Sequence, residues 1–237
     1  MLGTSSLAPP LINASTAASV RAWAREHLLR DAHGKGQFGD EYRTTTLYFD
    51  TPDLAVLRRR GSWGRAKYRV RRYDDEEMVF LERKLRTPNV LIKRRTPVAL
   101  SELPWLAGAG AHRDWTGWWF WRRIEARSLW VACRLRYKRM ARLCPPSDGV
   151  ARLTLDDHAT VLPAYHLQFD GGDGIGILAD QSILELKYRG GLPAAFRRLV
   201  ERFRLQPTTA SKYRLGMAVL SPIASDTASR SQNAPGH

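Results

Sequence analysis

Glu185 and Lys187 stand two residues apart in ILELKYR (183–189), and Glu82 stands among cations in FLERKL (80–85). A lone carboxylate within a field of Lys and Arg is a set that phosphate chemistry can use. The cations hold phosphate oxygens, and the carboxylate offers a hard oxygen to a divalent ion whose shell the phosphates complete. The plainer reading of such a triplet is a surface ion pair of small worth. The cations themselves come in rows. Side chains of a strand alternate between its faces, so KYRVRRY (67–73) puts Lys67, Arg69 and Arg71 on one face, opposite Tyr68, Val70 and Arg72. The same alternation groups Phe80, Glu82 and Lys84; Leu91, Lys93 and Arg95; Arg152, Thr154 and Asp156; and Ile183, Glu185, Lys187 and Arg189. Residues 58–95 hold fourteen Lys and Arg against five Asp and Glu, four of the five in DDEE (74–77). One charged face turned to water is ordinary for an antiparallel sheet. Repetition is less ordinary, because like charges on neighbouring strands repel. Either these rows face water, or they line an enclosed site where a polyanion offsets the repulsion.

The elements that must carry these rows can be read from pattern. Residues 1–13 look irregular, and 222–237 are polar and expected to be disordered. Ala17 to Leu29 carries Val20, Trp23, Ala24, His27 and Leu28 at helical spacing, with Ser15 or Thr16 as the expected cap. TTTLYFDTPD (44–53) reads as a strand closed by a turn, followed by a short helical segment from Asp53 to Arg59. Residues 65–73, 78–86 and 90–98 form a predicted meander. Helical character is expected over 102–130, strands over 131–143 and 150–157, another strand at 183–189, and a helix from Pro193 to Phe203. Antiparallel strands with interspersed helices predict an α+β fold, and the charged faces point to a closed barrel.

A net charge of +15 over 237 residues predicts polyanionic partners. Nucleic acid is disfavoured, because no helix-turn-helix, RRM-like or KH-like signature is present and the cations lie on strand faces. The chain carries no phosphate-binding GxxxxGK[ST] loop, no GxGxxG after a strand and no HExxH. Cys133 and Cys144 read as reduced thiols of a cytoplasmic protein. The N-terminus has no secretion-signal pattern, and no apolar run is long enough to cross a membrane. WTGWWFWRRIEARSLW (115–130) reads as a helix packed across the sheet, with docking on a membrane or protein partner as the alternative.

TTTLYFDTPDL, GRAKYRVRRY, FLERKL, KRRTPV, YKRMAR, RLTLD, ILELKYR and ASKY, in that order, resemble the VTC domain, the polyphosphate-polymerase domain of vacuolar transporter chaperone complexes and their bacterial relatives. That family belongs to the triphosphate tunnel metalloenzyme superfamily. The resemblance spans about residues 15–221. It implies an antiparallel β-barrel tunnel of about eight strands that transfers the ATP γ-phosphate to inorganic polyphosphate with Mn²⁺ or Mg²⁺; superfamily relatives hydrolyse triphosphates or make cyclic AMP. Matched motif by motif, it implies phosphate-binding roles for Lys67, Arg69, Arg71, Lys84, Lys93, Arg95, Tyr137, Arg139, Arg152, Lys187, Ser211 and Lys212. Arg69, Arg71, Lys84 and Lys212 are the implied catalytic cations. Glu185 is the implied metal ligand, and Ser211–Lys212 the pair on a last strand. One departure stands out: where the family opens with a basic strand, this chain has LAPPLIN (7–13).

Overall fold

The protein is described by a computed structural model over residues 4–6, 9–87, 91–108, 111–208 and 210–220, with backbone only for 4–6. Its order is β1 (Thr4–Ser6), β2 (Leu11–Ile12), α1 (Ala14–His27), β3 (Leu29–Arg30), β4 (Glu41–Asp50), β5 (Ala66–Tyr73), β6 (Met78–Arg86), β7 (Leu91–Ala99), a 3-10 helix (Leu100–Ala107), α2 (Trp118–Glu125), β8 (Trp130–Leu143), β9 (Ala151–Pro163), β10 (Ile175–Gly176), β11 (Ser182–Arg189) and α3 (Ala194–Arg202). Residues 212–220 form a further helix, α4. The antiparallel α+β architecture is as expected. The strands follow the order β1-β11-β9-β8-β4-β5-β6-β7, with β2 also on β11, β10 on β9 and β3 on β8. Among the described residues, hydrogen bonds do not join β7 back to β1.

The chain divides into two compact units. The first comprises Met1–Thr44, Tyr137–Ala159 and Leu178–Ser211, the second Thr45–Arg136, Thr160–Ile177 and Lys212–His237. In the first, Leu153 and Leu155 of β9 and Leu184 and Leu186 of β11 turn one face of the sheet onto Val20 and Trp23 of α1 and Phe196 and Leu199 of α3. Burying each such side chain contributes about 1.5–3 kcal/mol. In the second, Tyr68, Val70, Val79 and Leu81 pack under Phe120 and Ile124 of α2 and Leu103 and Leu106 of the 3-10 helix. Tyr213, Met217 and Leu220 of α4 join Tyr48, Cys133, Leu135 and Val161. Period two on the strands and spacings of four and three on the helices thus send the apolar residues inward and leave the charged rows on the other face.

Several boundaries differ from expectation. α1 starts earlier, because Asn13 rather than Ser15 or Thr16 is its cap and accepts from Thr16 N at 2.9 Å. Residues 53–59 form turns, not a helix. The N-terminal stretch read as irregular supplies β1 and β2, which pair with β11 through Ser6↔Lys187 and Leu11↔Ile183. The last stretch, SKYR onward, is helical and not a strand. The polar tail 222–237 lies outside the described residues.

Candidate functional site: two charged faces

β5, β6 and β7 pair in a register that aligns their charged rows. Lys67 lies opposite Lys84, and Lys84 opposite Lys93; Arg69 lies opposite Glu82, and Glu82 opposite Arg95. The next rung is Arg71–Phe80–Pro97. This face of the second unit therefore carries six cations in rows around one carboxylate. Glu82 accepts from Arg69 Nε at 2.5 Å, with Arg95 Nε at 3.5 Å and Arg71 Nη1 at 3.7 Å. Burial alone would raise the Glu82 carboxyl, but the guanidiniums of Arg69, Arg71 and Arg95 overcome it and hold the group at about 2. Arg71 is buried and donates to Thr46 Oγ1 at 3.3 Å. At the other end of the row Lys84 and Lys93 are exposed. Lys67, across from Lys84 on the same rung, is pushed down to about 8, first by burial and then by the repulsion of Lys84, Arg214, Arg59 and Arg69. That rung holds like charges at the spacing of neighbouring strands, about 5 Å.

The charged face of the first unit is organised differently. Arg139 Nε and Nη2 grip the two oxygens of Asp156 at 2.5 and 2.7 Å, and both residues are buried. Burial opposes the Arg139 charge, yet Asp156 raises its pKa well above the ordinary value. On the opposite face of β8, the side packed on α1, Arg142 donates twice to Asp40 Oδ2, at 3.0 and 2.7 Å, where Arg25 joins it at 3.1 Å. Arg152 Nη2 lies 3.0 Å from Tyr42 Oη and 2.8 Å from Asp31 Oδ2. On β11, Lys187 Nζ donates to Glu185 Oε2 at 2.8 Å. Across the ladder Glu185 faces Thr154, and Lys187 faces Arg152. Tyr137 is buried one turn of the pleat before Arg139. Its ring lies 5.3 Å from the Arg139 guanidinium carbon.

Register thus brings together Lys67, Arg69, Arg71, Lys84, Lys93 and Arg95 as one expected group, and Arg152, Glu185 and Lys187 as another, with Tyr137 and Arg139 in the same unit. Ser211 and Lys212 sit at the start of α4 rather than on a strand. Pattern reading gave no role to Asp50, Arg59, Tyr213 or Arg214. The signal for α4 was present, since Tyr213, Met217 and Leu220 recur at helical spacing. The Trp segment does pack across the sheet: Trp115, Phe120 and Ile124 are buried, Trp119 Nε1 donates to Thr96 Oγ1 at 2.9 Å, and Trp118 stacks on Trp121 at 4.5 Å.

A divalent ion would find few protein ligands here. Among the described residues no group of three His, Cys, Asp or Glu side chains converges. Glu185 offers a single carboxylate, already bonded by Lys187, and the β1 and β2 residues that pair with β11 on either side of it are Ser, Thr, Leu and Ile. This donor set fits an ion that arrives on phosphate oxygens, not one caged by protein.

Comparison with known proteins decides the family. Residues 10–221 match the VTC domain. The chain belongs to that family. No curated protein matches it. Among solved structures, a candidate adenylate cyclase from Bacillus halodurans aligns with a TM-score of 0.54 at 15% identity, covering 89% of this chain and 94% of that one. A Pyrococcus horikoshii protein aligns at TM-score 0.49 and 11% identity, covering 90% of this chain and 97% of its own. A candidate adenylyl cyclase from Hippeastrum, described as having a dominant triphosphatase activity, also aligns at TM-score 0.49 and 11% identity, covering 90% and 94%. The Bacillus protein shares the fold of this VTC domain chain. Among its described residues, no helix is long and apolar enough to cross a membrane.

Proposed function

We propose that this VTC domain protein is a phosphotransferase of the polyphosphate-polymerase type, moving the γ-phosphate of ATP onto inorganic polyphosphate. The observation that carries the reading is the β5–β7 face, where six cations stand in register around one carboxylate. A sheet shaped by stability alone would interleave signs across such rungs. Lys67, Arg69, Arg71, Lys84, Lys93, Arg95 and Lys212 hold phosphate oxygens and stabilise the charge that builds as the phosphoryl group transfers. Arg152 and Lys187, with Ser211 and Tyr137, add phosphate contacts on the first unit, and Arg139 holds its strand there through Asp156. Glu185 is the residue that would hold a divalent ion, Mn²⁺ or Mg²⁺, and the bound ion would supply neutralising charge to the phosphate oxygens. The acceptor is the terminal phosphate of a bound chain, so no protein nucleophile is needed. Where water takes that place, the same residues hydrolyse triphosphate.

A second reading is polyphosphate binding without turnover. It is favoured by β1 and β2, which occupy the edge of β11 with Thr, Ser, Leu and Ile, where the family opens with a basic strand. Incubation of purified protein with ATP and Mn²⁺, followed by a polyphosphate-staining gel and a free-phosphate assay, separates the readings. A ladder of chains is the expected result. Free phosphate without chains makes the protein a triphosphatase. Tight polyphosphate binding with neither product makes it a binder. Replacing Glu185 by Ala is expected to remove metal stimulation while sparing polyphosphate binding; full metal stimulation in that variant removes Glu185 from the ligand role.

A further inference from the structure

Asp50, buried at the end of β4, accepts from Thr51 N at 2.7 Å, Val56 N at 2.8 Å, Leu57 N at 2.9 Å and Tyr213 Oη at 2.5 Å. One carboxylate thereby ties two segments together: the turns leading to Arg58–Arg59–Arg60, and the first turn of α4, where Arg214 follows Tyr213. Neither segment is a loose end. Arg59 adopts φ +55°, a left-handed conformation that a residue with a Cβ holds only where its surroundings enforce it. Gly64 closes directly onto it, since a Cβ there would lie 2.6 Å from Arg59 Cα. Tyr213 is fixed by its place in the core and by stacking on Tyr48 at 5.1 Å.

Gly64, which closes onto Arg59, stands three residues before Lys67 in the chain, and both guanidiniums oppose the charge of that ammonium. Exposure gives the row a direction, with Arg71 buried at one end and Lys84, Lys93 and Arg59 exposed at the other. From Arg71 to Lys67 the row spans about 13 Å of strand at about 3.3 Å per residue. That already exceeds three phosphates joined by two P–O–P bridges. An anion that reaches both Arg71 and cations beyond Lys67 must be longer than a triphosphate.

We propose that Arg59 and Arg214 continue the row past Lys67 as a second stretch of phosphate contacts, giving the protein a preference for inorganic polyphosphate chains over triphosphate, with the Asp50–Tyr213 hydrogen bond as the element that positions them. The proposal rests on the reading of the β5–β7 face as a polyphosphate-binding surface. The two are separated by measuring binding of fluorescently labelled long-chain polyphosphate, with unlabelled long chains and unlabelled tripolyphosphate as competitors, in EDTA. Arg59→Ala and Arg214→Ala are each expected to weaken long-chain binding about tenfold, a charge-assisted contact each, and to leave tripolyphosphate binding within about twofold. Arg60→Ala, whose guanidinium is held by Asp53 at 2.7 Å, is expected to change neither. Equal weakening for both lengths, or none for either, overturns the extension while leaving the face intact. Wild-type protein that binds neither length overturns both. Tyr213→Phe keeps the ring in the core and is expected to lower long-chain affinity with tripolyphosphate binding preserved. Loss of both in proportion to a fall in melting temperature would assign Tyr213 to stability alone and overturn its positioning role.

Discussion

On the first unit Arg139 meets Asp156, Arg142 meets Asp40, and Lys187 meets Glu185; on the second, Arg69, Arg71 and Arg95 converge on Glu82 while three lysines line up on the next rung. The residue types are the same, and for Arg139, Asp156, Glu185 and Lys187 so is the alternation that turns them to one face. The difference lies in what stands across the ladder. In the first unit burial opposes the charge of Asp40, yet Arg25 and Arg142 still hold its carboxyl below the ordinary value. In the second unit burial and surrounding cations push Lys67 in the direction that disfavours its charge. Paired charges hold a sheet in place. An excess of one sign holds it less well and binds something else better, which is how a stability–function trade-off looks in a sheet.

The comparison breaks first at Arg139. Arg139→Ala strands the fully buried Asp156 and is expected to lower unfolding stability by about 3–5 kcal/mol, read from urea denaturation. A loss below about 1 kcal/mol would mean that water reaches Asp156 and that the first face is not a paired one. Next in size is Glu82→Gln, which leaves three guanidiniums without their shared anion and is expected to destabilise by about 1–3 kcal/mol. Its pH signature is specific. Glu82 ionises at about 2 in the folded protein against an ordinary 4.5, so it contributes stability above about 4.5 that is lost as pH falls towards 2. That part of the acid limb should flatten in the variant.

Lys67 sharpens the second face. With its pKa at about 8 against an ordinary 10.5, its protonation in the folded chain opposes folding below about 8. That opposition fades as pH rises from about 8 to 10.5. A bound polyphosphate restores the proton. Affinity should therefore be constant below about pH 8 and fall by up to about tenfold per pH unit above it. Isothermal titration in buffers of different ionisation heat should show proton uptake on binding at pH 8.5. Lys67→Arg should remove both effects. The smallest expected change is Lys84→Ala, which relieves the rung and should stabilise the ligand-free protein by about 0.2–1 kcal/mol while weakening polyphosphate binding. A variant less stable than wild type would show that the lysines are not repelling one another.

Much of this was legible in the chain. The strand rows at 67–71, 80–84, 91–95 and 183–187 follow from strict alternation, and the eight motifs identify the family that residues 10–221 match. Some local features depart from expectation. SKYR matches the family's last-strand motif, yet Tyr213, Met217 and Leu220 repeat at helical spacing and pack in the core. Asn13, Ser15 and Thr16 compete for the cap within a few residues, and only backbone geometry shows which oxygen reaches Thr16 N. Residues 53–59 carry helix-compatible side chains, but Asp50 collects the amides of Val56 and Leu57 and turns the chain instead.

The amino-acid sequence by itself determined which side chains share a face, because a strand has a period of two and a helix one near 3.6, and both are local properties. It also set the excess of positive charge and its concentration in residues 58–95. Only the tertiary structure decided which of those cations are neutralised. Arg139 finds Asp156 seventeen residues away, Arg142 finds Asp40 at a separation of 102, and Tyr213 finds Asp50 at 163. Strand register and packing across such distances are properties of the folded chain. They separate a cation that holds the sheet together from one positioned to hold phosphate.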